Sequence, residues 1–177
     1  LRTGLGLSLG FGLRLVDASE EGAAVFRAVL KREPGNLTAH RGLVLCLLDD
    51  DDVAGAQAQV AAAAQHLPTD DSLALLLVRS LRTRKHIDEA LTVLLQACER
   101  RPEGLELWTA RLDLLTDRED WAEARALAAE VVARFPTAAA AHLARAELLC
   151  RPASGASRAE TDAAFAAAVA VDARHWP

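Results

Sequence analysis

The stretch Gly22-Ala23-Ala24-Val25-Phe26-Arg27-Ala28-Val29-Leu30-Lys31-Arg32-Glu33-Pro34 sets a small residue, a bulky one four positions on and another apolar one three beyond, then stops at a proline. That spacing puts Gly22, Phe26 and Val29 on one face of a helix. The same pattern returns three times: Ala56, Val60 and Ala63 before Pro68, Ala90, Leu94 and Ala97 before Pro102, and Ala124, Ala128 and Val131 before Pro136, each 34 residues after the last. A proline lacks the amide donor a helix needs and restricts the residue ahead of it, so each of the four marks a helix end. Twelve residues before each small position stands Gly10, Val44, Val78 or Leu112, preceded by Leu9, Leu43, Leu77 and, out of pattern, Arg111. Each period therefore holds two helices, and the small residue lets them approach closely. The expected pairs are 38–50 with 54–66, 71–84 with 87–100 and 104–118 with 121–134. A period of this length is the mark of a solenoid, whose units bury their apolar faces only against their neighbours.

These residues resemble the tetratricopeptide repeat family. Leu9-Gly10 is similar to the Leu-Gly pair of that family's first helix, and Gly22-x3-Phe26-x2-Val29-x4-Pro34 to its second. Lys85-His86-Ile87-Asp88-Glu89-Ala90 and Glu119-Asp120-Trp121-Ala122-Glu123-Ala124 resemble the turn between the helices, and Trp108 stands where the family often has Trp. A fifth unit fits through His142, Ala146, Thr161, Phe165 and Ala168 if about three residues are inserted in the 151–158 loop, with Ala173 in the proline's place. The resemblance covers nearly the whole chain and implies an all-α, α-α superhelical solenoid of about five helix-turn-helix units, approximately 3–36, 37–70, 71–104, 105–138 and 139–177, forming a single array.

Composition agrees with this class. At 177 residues, 51% apolar and 25% charged, the chain is long enough for a folded domain, and its apolar content falls in helical periods. A net charge of −5 disfavours nonspecific attraction to nucleic-acid phosphate, and no run of about eighteen apolar residues is long enough for a membrane-spanning helix. The sequence contains no methionine, and its first and last residues fall almost on repeat boundaries, which reads as a processed chain or a piece of a longer one. The compartment stays open between cytoplasm and periplasm. Residues 5–15 alternate leucine or phenylalanine with glycine, serine or arginine, a period-two strand signal. The repeat register nevertheless predicts a helix there, because a lone strand would have no partner. The same apolar segment after Arg2 also fits the remnant of a leader peptide. The last helix, from Ala163 to Val171, is strongly apolar, so residues 160–177 are expected to self-associate or to dock on a neighbouring domain through Phe165, Val169 and Trp176.

Motifs that carry chemistry elsewhere lack their context here. Gly6-Leu7-Ser8-Leu9-Gly10 matches the Gly-x-Ser-x-Gly of serine hydrolases, and Gly4, Gly6 and Gly10 suggest a phosphate loop, but either needs a preceding strand and a turn into a helix. Cys46, Cys98 and Cys150 show no paired spacing and read as small apolar packing residues. His40 and His142 share the repeat position of Trp108, which points to repeat packing or groove lining rather than metal ligation. Asp49-Asp50-Asp51-Asp52 lacks the order of a calcium loop and sits where acidic residues cap the next helix, while Asp120-x-x-Glu123 and Ser157-x-x-Glu160 read as capping boxes. No catalytic residue, metal ligand or cofactor is expected.

Function then rests on a groove. In the family that the chain resembles, the first helices of successive units line an inner surface, and the resemblance assigns to it Leu7, Phe11 and Arg14, then Arg41, Leu45 and Leu48, then Leu75, Arg79 and Arg82. The fourth unit gives Glu106, Thr109, Asp113 and Asp117, and the fifth Leu143 and Glu147. Apolar and basic residues in the first three units and acidic ones beyond suit a protein or peptide segment with apolar anchors and charges of both signs. The family's clamp for acidic carboxyl termini uses asparagines and lysines, whereas the matching places here are Leu7, Phe11, Gly42 and Ser72, which disfavours that ligand. The expected role is a protein-interaction scaffold without catalysis of its own. The alternatives are the accessory region of a larger enzyme, of glycosyltransferase, sulfotransferase or hydroxylase type, and a scaffold in an envelope or secretion assembly.

Overall fold

A computed structural model describes residues 2–173, in which ten α-helices follow one another with no strand among the described residues. The helices are α1 (Thr3–Leu15), α2 (Ser19–Leu30), α3 (Leu37–Asp49), α4 (Val53–His66), α5 (Ser72–Thr83), α6 (Ile87–Arg100), α7 (Leu105–Asp117), α8 (Trp121–Arg134), α9 (Ala139–Cys150) and α10 (Arg158–Asp172), with a short 3₁₀ turn at Pro152–Ser154. The three helix pairs expected in the middle of the chain match within a residue. Pro34, Pro68, Pro102 and Pro136 each fall just beyond the second helix of a pair. The amino-terminal segment is helical despite its alternating pattern, and the 3₁₀ turn occupies the 151–158 insertion. The chain divides into two compact units, Leu1–His86 and Ile87–Pro177.

In the first unit α1 packs on α2, α2 on α3, α3 on α4 and α4 on α5, and the first helices α1, α3 and α5 also touch in succession. The repeated face is the core. Gly22 and Ala56 are buried, as are Phe26, Val60, Val29 and Ala63 on the same helices. Phe26 decides the packing of the first unit. Its ring lies against the backbone of Gly10 and Gly42, so closely that a Cβ added at Gly10 would stand 2.7 Å from it, and Phe11 meets its edge with centroids 5.0 Å apart. Gly22 in turn leaves room for the Gly10 carbonyl oxygen, which a Cβ would approach to 3.0 Å. Of the glycines that weaken α1 as an isolated helix, Gly10 is the one that, with Gly42 of α3, admits the phenylalanine.

The second unit repeats the scheme with α6 on α7, α7 on α8, α8 on α9, α9 on α10, and α7 touching α9. Ala90, Leu94 and Ala97 on α6 and Ala124, Ala128 and Val131 on α8 are buried. Arg111, out of pattern in sequence, is half-buried and bonds the Glu123 carboxylate at 3.1 Å, so its charge is paired. On α10, Ala164, Ala168 and Val171 face inward, whereas Phe165 is 37% and Val169 66% exposed. Trp176, named with them from sequence, lies outside the described residues.

The turns between paired helices carry a regularity that the sequence did not display. Asp17, Asp51, Lys85 and Glu119, 34 residues apart, all have left-handed backbone with φ of 58°, 59°, 65° and 61°. In each turn the amide of the next residue reaches back to close the first helix: Ala18 to the Leu13 carbonyl at 3.0 Å, Asp52 to Leu47 at 2.8 Å, His86 to Leu81 at 2.9 Å and Asp120 to Leu115 at 2.9 Å. This is a helix stop usually built on glycine, here built on charged residues.

Candidate functional site

The first helices carry the residues on which binding would depend. In the first unit α3 and α5 bring Arg41, Leu75 and Arg79 to one open cleft of about 270 Å³, together with Ser72, Leu73 and Leu76. The helical spacing explains the set. Ser72, Leu75, Leu76 and Arg79 stand at i, i+3, i+4 and i+7 on α5, one face of that helix, and Arg41 comes across from the first turns of α3. Arg41 and Arg79 are exposed, so both guanidinium groups reach solvent at the cleft, while Leu75 is half-buried. Ser72 was read only as a clamp position, and Leu76 went unread although it stands three residues before Arg79 on the same face; Leu73 reaches the cleft from the buried side of α5.

The remaining groove residues of the first unit have different settings. Leu7 and Leu45 are half-buried, and Phe11 lends its ring to Phe26. Arg14 is held by the Asp49 carboxylate, with its Nη2 3.4 Å from Oδ1, so its charge is already partnered. Arg82 is exposed one turn beyond Arg79. Leu48 is a correction: it is 1% exposed and belongs to the core, because the inward face of α3 is wide and includes Val44, Cys46, Leu47 and Leu48 together. Gly42, matched in sequence to a clamp position, lies beneath the Phe26 ring and offers no side chain to a ligand.

In the second unit Glu106, Asp113 and Asp117 of α7 are exposed, as are Leu143 and Glu147 of α9. Thr109 is half-buried and donates its hydroxyl to the Leu105 and Glu106 carbonyls, both at 3.2 Å, which turns it back onto its own helix. This unit therefore presents carboxylates where the first presents guanidinium groups.

The other candidate residues are accounted for by structure. Asp52 caps α4, accepting from the Gly55 amide at 2.8 Å, while Asp49 pairs with Arg14 and Asp51 holds a left-handed turn and meets Arg84 at 3.4 Å. Cys46 and Cys98 are buried and Cys150 is exposed. Burial pushes the Cys46 thiol above its ordinary range. The Gly-x-Ser-x-Gly stretch runs inside α1 without the turn a nucleophile elbow requires. Ser157 and Glu160 form a complete capping box, with the Glu160 amide on Ser157 Oγ at 3.2 Å and the Ser157 amide on Glu160 Oε2 at 2.8 Å. Asp120 makes only the forward half, at 3.4 Å, because Glu123 turns to Arg111 and Arg118.

One repeat position joins side chain to backbone in three repeats. Six residues after the proline, His40 Nε2 lies 2.7 Å from the Pro34 carbonyl, Trp108 Nε1 donates to Pro102 at 3.1 Å, and His142 Nε2 lies 3.0 Å from the Pro136 carbonyl. A carbonyl only accepts, so each histidine carries its proton on Nε2; Gln59 then donates to His40 Nδ1. These rings are ties between a helix pair and the proline that precedes it, which accounts for the shared position of Trp108 and the two histidines.

Solved structures share the architecture. The crystal structure of MamA protein matches with a TM-score of 0.59 over 97% of this chain and 92% of that one, at 14% identity. MamA 41-end from Desulfovibrio magneticus RS-1 matches at 0.58 over 99% and 97%, at 12% identity. YrrB, described as a TPR protein with an unusual peptide-binding site, matches at 0.54 over 96% and 86%, at 18% identity. The chain has the tetratricopeptide repeat fold. No family model matches it, and no curated protein matches it in sequence. The tetratricopeptide architecture asks only for small or apolar side chains at most of its defining positions, so fold persists at identities this low. Among the described residues, no helix is long and apolar enough to cross a membrane.

Proposed function

We propose that this tetratricopeptide array is a protein-interaction scaffold that captures an extended or helical segment of a partner on its first helices, without catalysis of its own. The observation that carries the reading is the convergence of Arg41, Leu75 and Arg79 on one open cleft in the first unit. Two exposed cations beside an apolar floor suit an apolar side chain flanked by carboxylates. YrrB, similar in fold, is a peptide binder by its description, which supports the class of role and not the ligand. The acidic residues of α7 and α9 would favour basic residues elsewhere in the same or another segment.

The test is the double substitution Arg41→Glu with Arg79→Glu, titrated with a fluorescent peptide library of alternating leucine and aspartate. Wild type is expected to bind with an affinity that falls as salt rises, and the variant to lose at least tenfold at unchanged thermal stability, since exposed charges contribute little to folding. Equal binding by the variant at every salt concentration would place the interaction elsewhere.

A further inference from the structure

Where the first repeat meets the second, α2 packs on α3 through a stripe at i, i+3, i+4 and i+7 of the receiving helix: Ala39, Gly42, Leu43 and Cys46, all buried. The Phe26 ring lies against Gly42, and a Cβ added at Gly22 would stand 3.2 Å from the Cys46 sulfur, so this stripe faces α2. Moving it back by one repeat of 34 gives Leu5, Ser8, Leu9 and Gly12 on α1. All four are exposed, Leu5 to 62% and Leu9 to 43%. The counterparts of Leu5 in the later repeats, Ala39, Leu73, Leu107 and Ala141, are buried without exception. At the other end, once the three-residue insertion is counted, α10 carries Phe165 in the register of Phe26. Phe26, Val60, Leu94 and Ala128 are buried at that place, whereas Phe165 is exposed together with Val169 one turn on. Thus α1 presents the receiving half of the contact between repeats, and α10 presents the inserting half.

We propose that the two halves meet between copies of this chain, α10 of one copy packing on α1 of another as α2 packs on α3. The occupant of each face is a second copy because the chain itself carries both halves, and the contact continues one that it already makes between its own repeats. Phe165 and Val169 would be covered by the leucine stripe of α1. Ser8 has a Cβ where Gly42 has none, which displaces the Phe165 ring from the place that Phe26 takes; Gly12, bare and in open space where α3 has Cys46, gives the room. Charge agrees with the register. Asp172 and Arg2, both exposed, stand where Glu33 and Asn36 bond at 2.9 Å in the first contact, so a carboxylate and a guanidinium would face each other between copies. Such a contact is heterologous, joining two different surfaces. It is separate from the cleft of Arg41 and Arg79 and does not rest on it.

The test blocks one half at a time in the 177-residue chain, with Leu5→Lys on α1 and Val169→Lys on α10, both at exposed positions, and circular dichroism to check that each variant keeps its helicity. In sedimentation equilibrium the wild type is expected to gain mass with concentration. Each variant alone should associate about tenfold or more weakly, because an ammonium group would be buried against apolar side chains. Mixed in equal amounts, the two variants should form a complex of one copy each, since the Leu5→Lys chain keeps its α10 and the Val169→Lys chain keeps its α1. A wild type that stays monomeric at millimolar concentration would overturn the proposal and leave both faces to other chains. Association of the Leu5→Lys chain at wild-type strength would overturn it in favour of α10 on α10, and that of the Val169→Lys chain in favour of α1 on α1. A mixture that associates no better than its components would overturn it as well.

Discussion

Glu119 holds a left-handed backbone conformation that costs an L-residue about 1–2 kcal/mol and a glycine almost nothing, against about 0.5–1 kcal/mol for glycine's extra freedom when unfolded. Glu119→Gly should accordingly raise the unfolding free energy by about 0.5–1 kcal/mol, read as a shift of the urea midpoint without a change of slope. A fall in the midpoint would mean that the carboxylate does more than cap a turn. The position was not legible in sequence, since Asp17, Asp51, Lys85 and Glu119 share the backbone geometry while none is the glycine that usually marks it. His40 makes the opposite point. Its position in the Trp108 register was legible, yet only the structure supplies both partners, the Pro34 carbonyl and Gln59. His40→Phe keeps the ring and orphans both partners, at an expected cost on the order of 1–3 kcal/mol by the same measurement.

Among the helices, the close pairs depend on the small residues at their crossing. Ala90 and Ala124 are 0% exposed, so Ala124→Leu or Ala90→Leu should cost on the order of 1–3 kcal/mol in thermal or urea unfolding, because overpacking pushes the paired helices apart. The start of α10 responds to acid. Hydrogen bonds from the Ser157 amide and hydroxyl, helped by Arg125, hold the Glu160 carboxyl below its ordinary range. A carboxylate whose folded pKa is depressed stabilises the fold at pH values above its unfolded pKa, and that contribution is lost as the pH falls through the folded one. Amide exchange in the first turn of α10 should therefore accelerate as the pH drops below the ordinary glutamate range, after correction for intrinsic rates. Glu160→Gln should flatten that dependence. The helix boundaries came through clearly in sequence because proline and the four-three spacing are local signals; the completeness of a cap was not, since Glu123 and Glu160 occupy the same place in their motifs and choose different partners.

For the molecule as a whole, exposed apolar residues on α10 give a further test. Phe165 and Val169 project outward from the helix whose inner face is Ala164, Ala168 and Val171. The expectation of contact through residues 160–177 then predicts concentration-dependent mass in sedimentation equilibrium, reduced by Val169→Lys at unchanged helicity. A wild-type chain that stays monomeric at millimolar concentration would remove self-association from the reading.

What the sequence by itself determined is the repeat: its length, the two helices per period and the buried small positions. Those follow from spacing, because a helix repeats every 3.6 residues and a proline ends it wherever it stands. What only tertiary structure decided is which side chains on those helices are free. Leu48, assigned to the surface by register, is in the core because neighbouring helices cover more than one face of α3, whereas Arg41 and Arg79 meet at a cleft that belongs to two different helices.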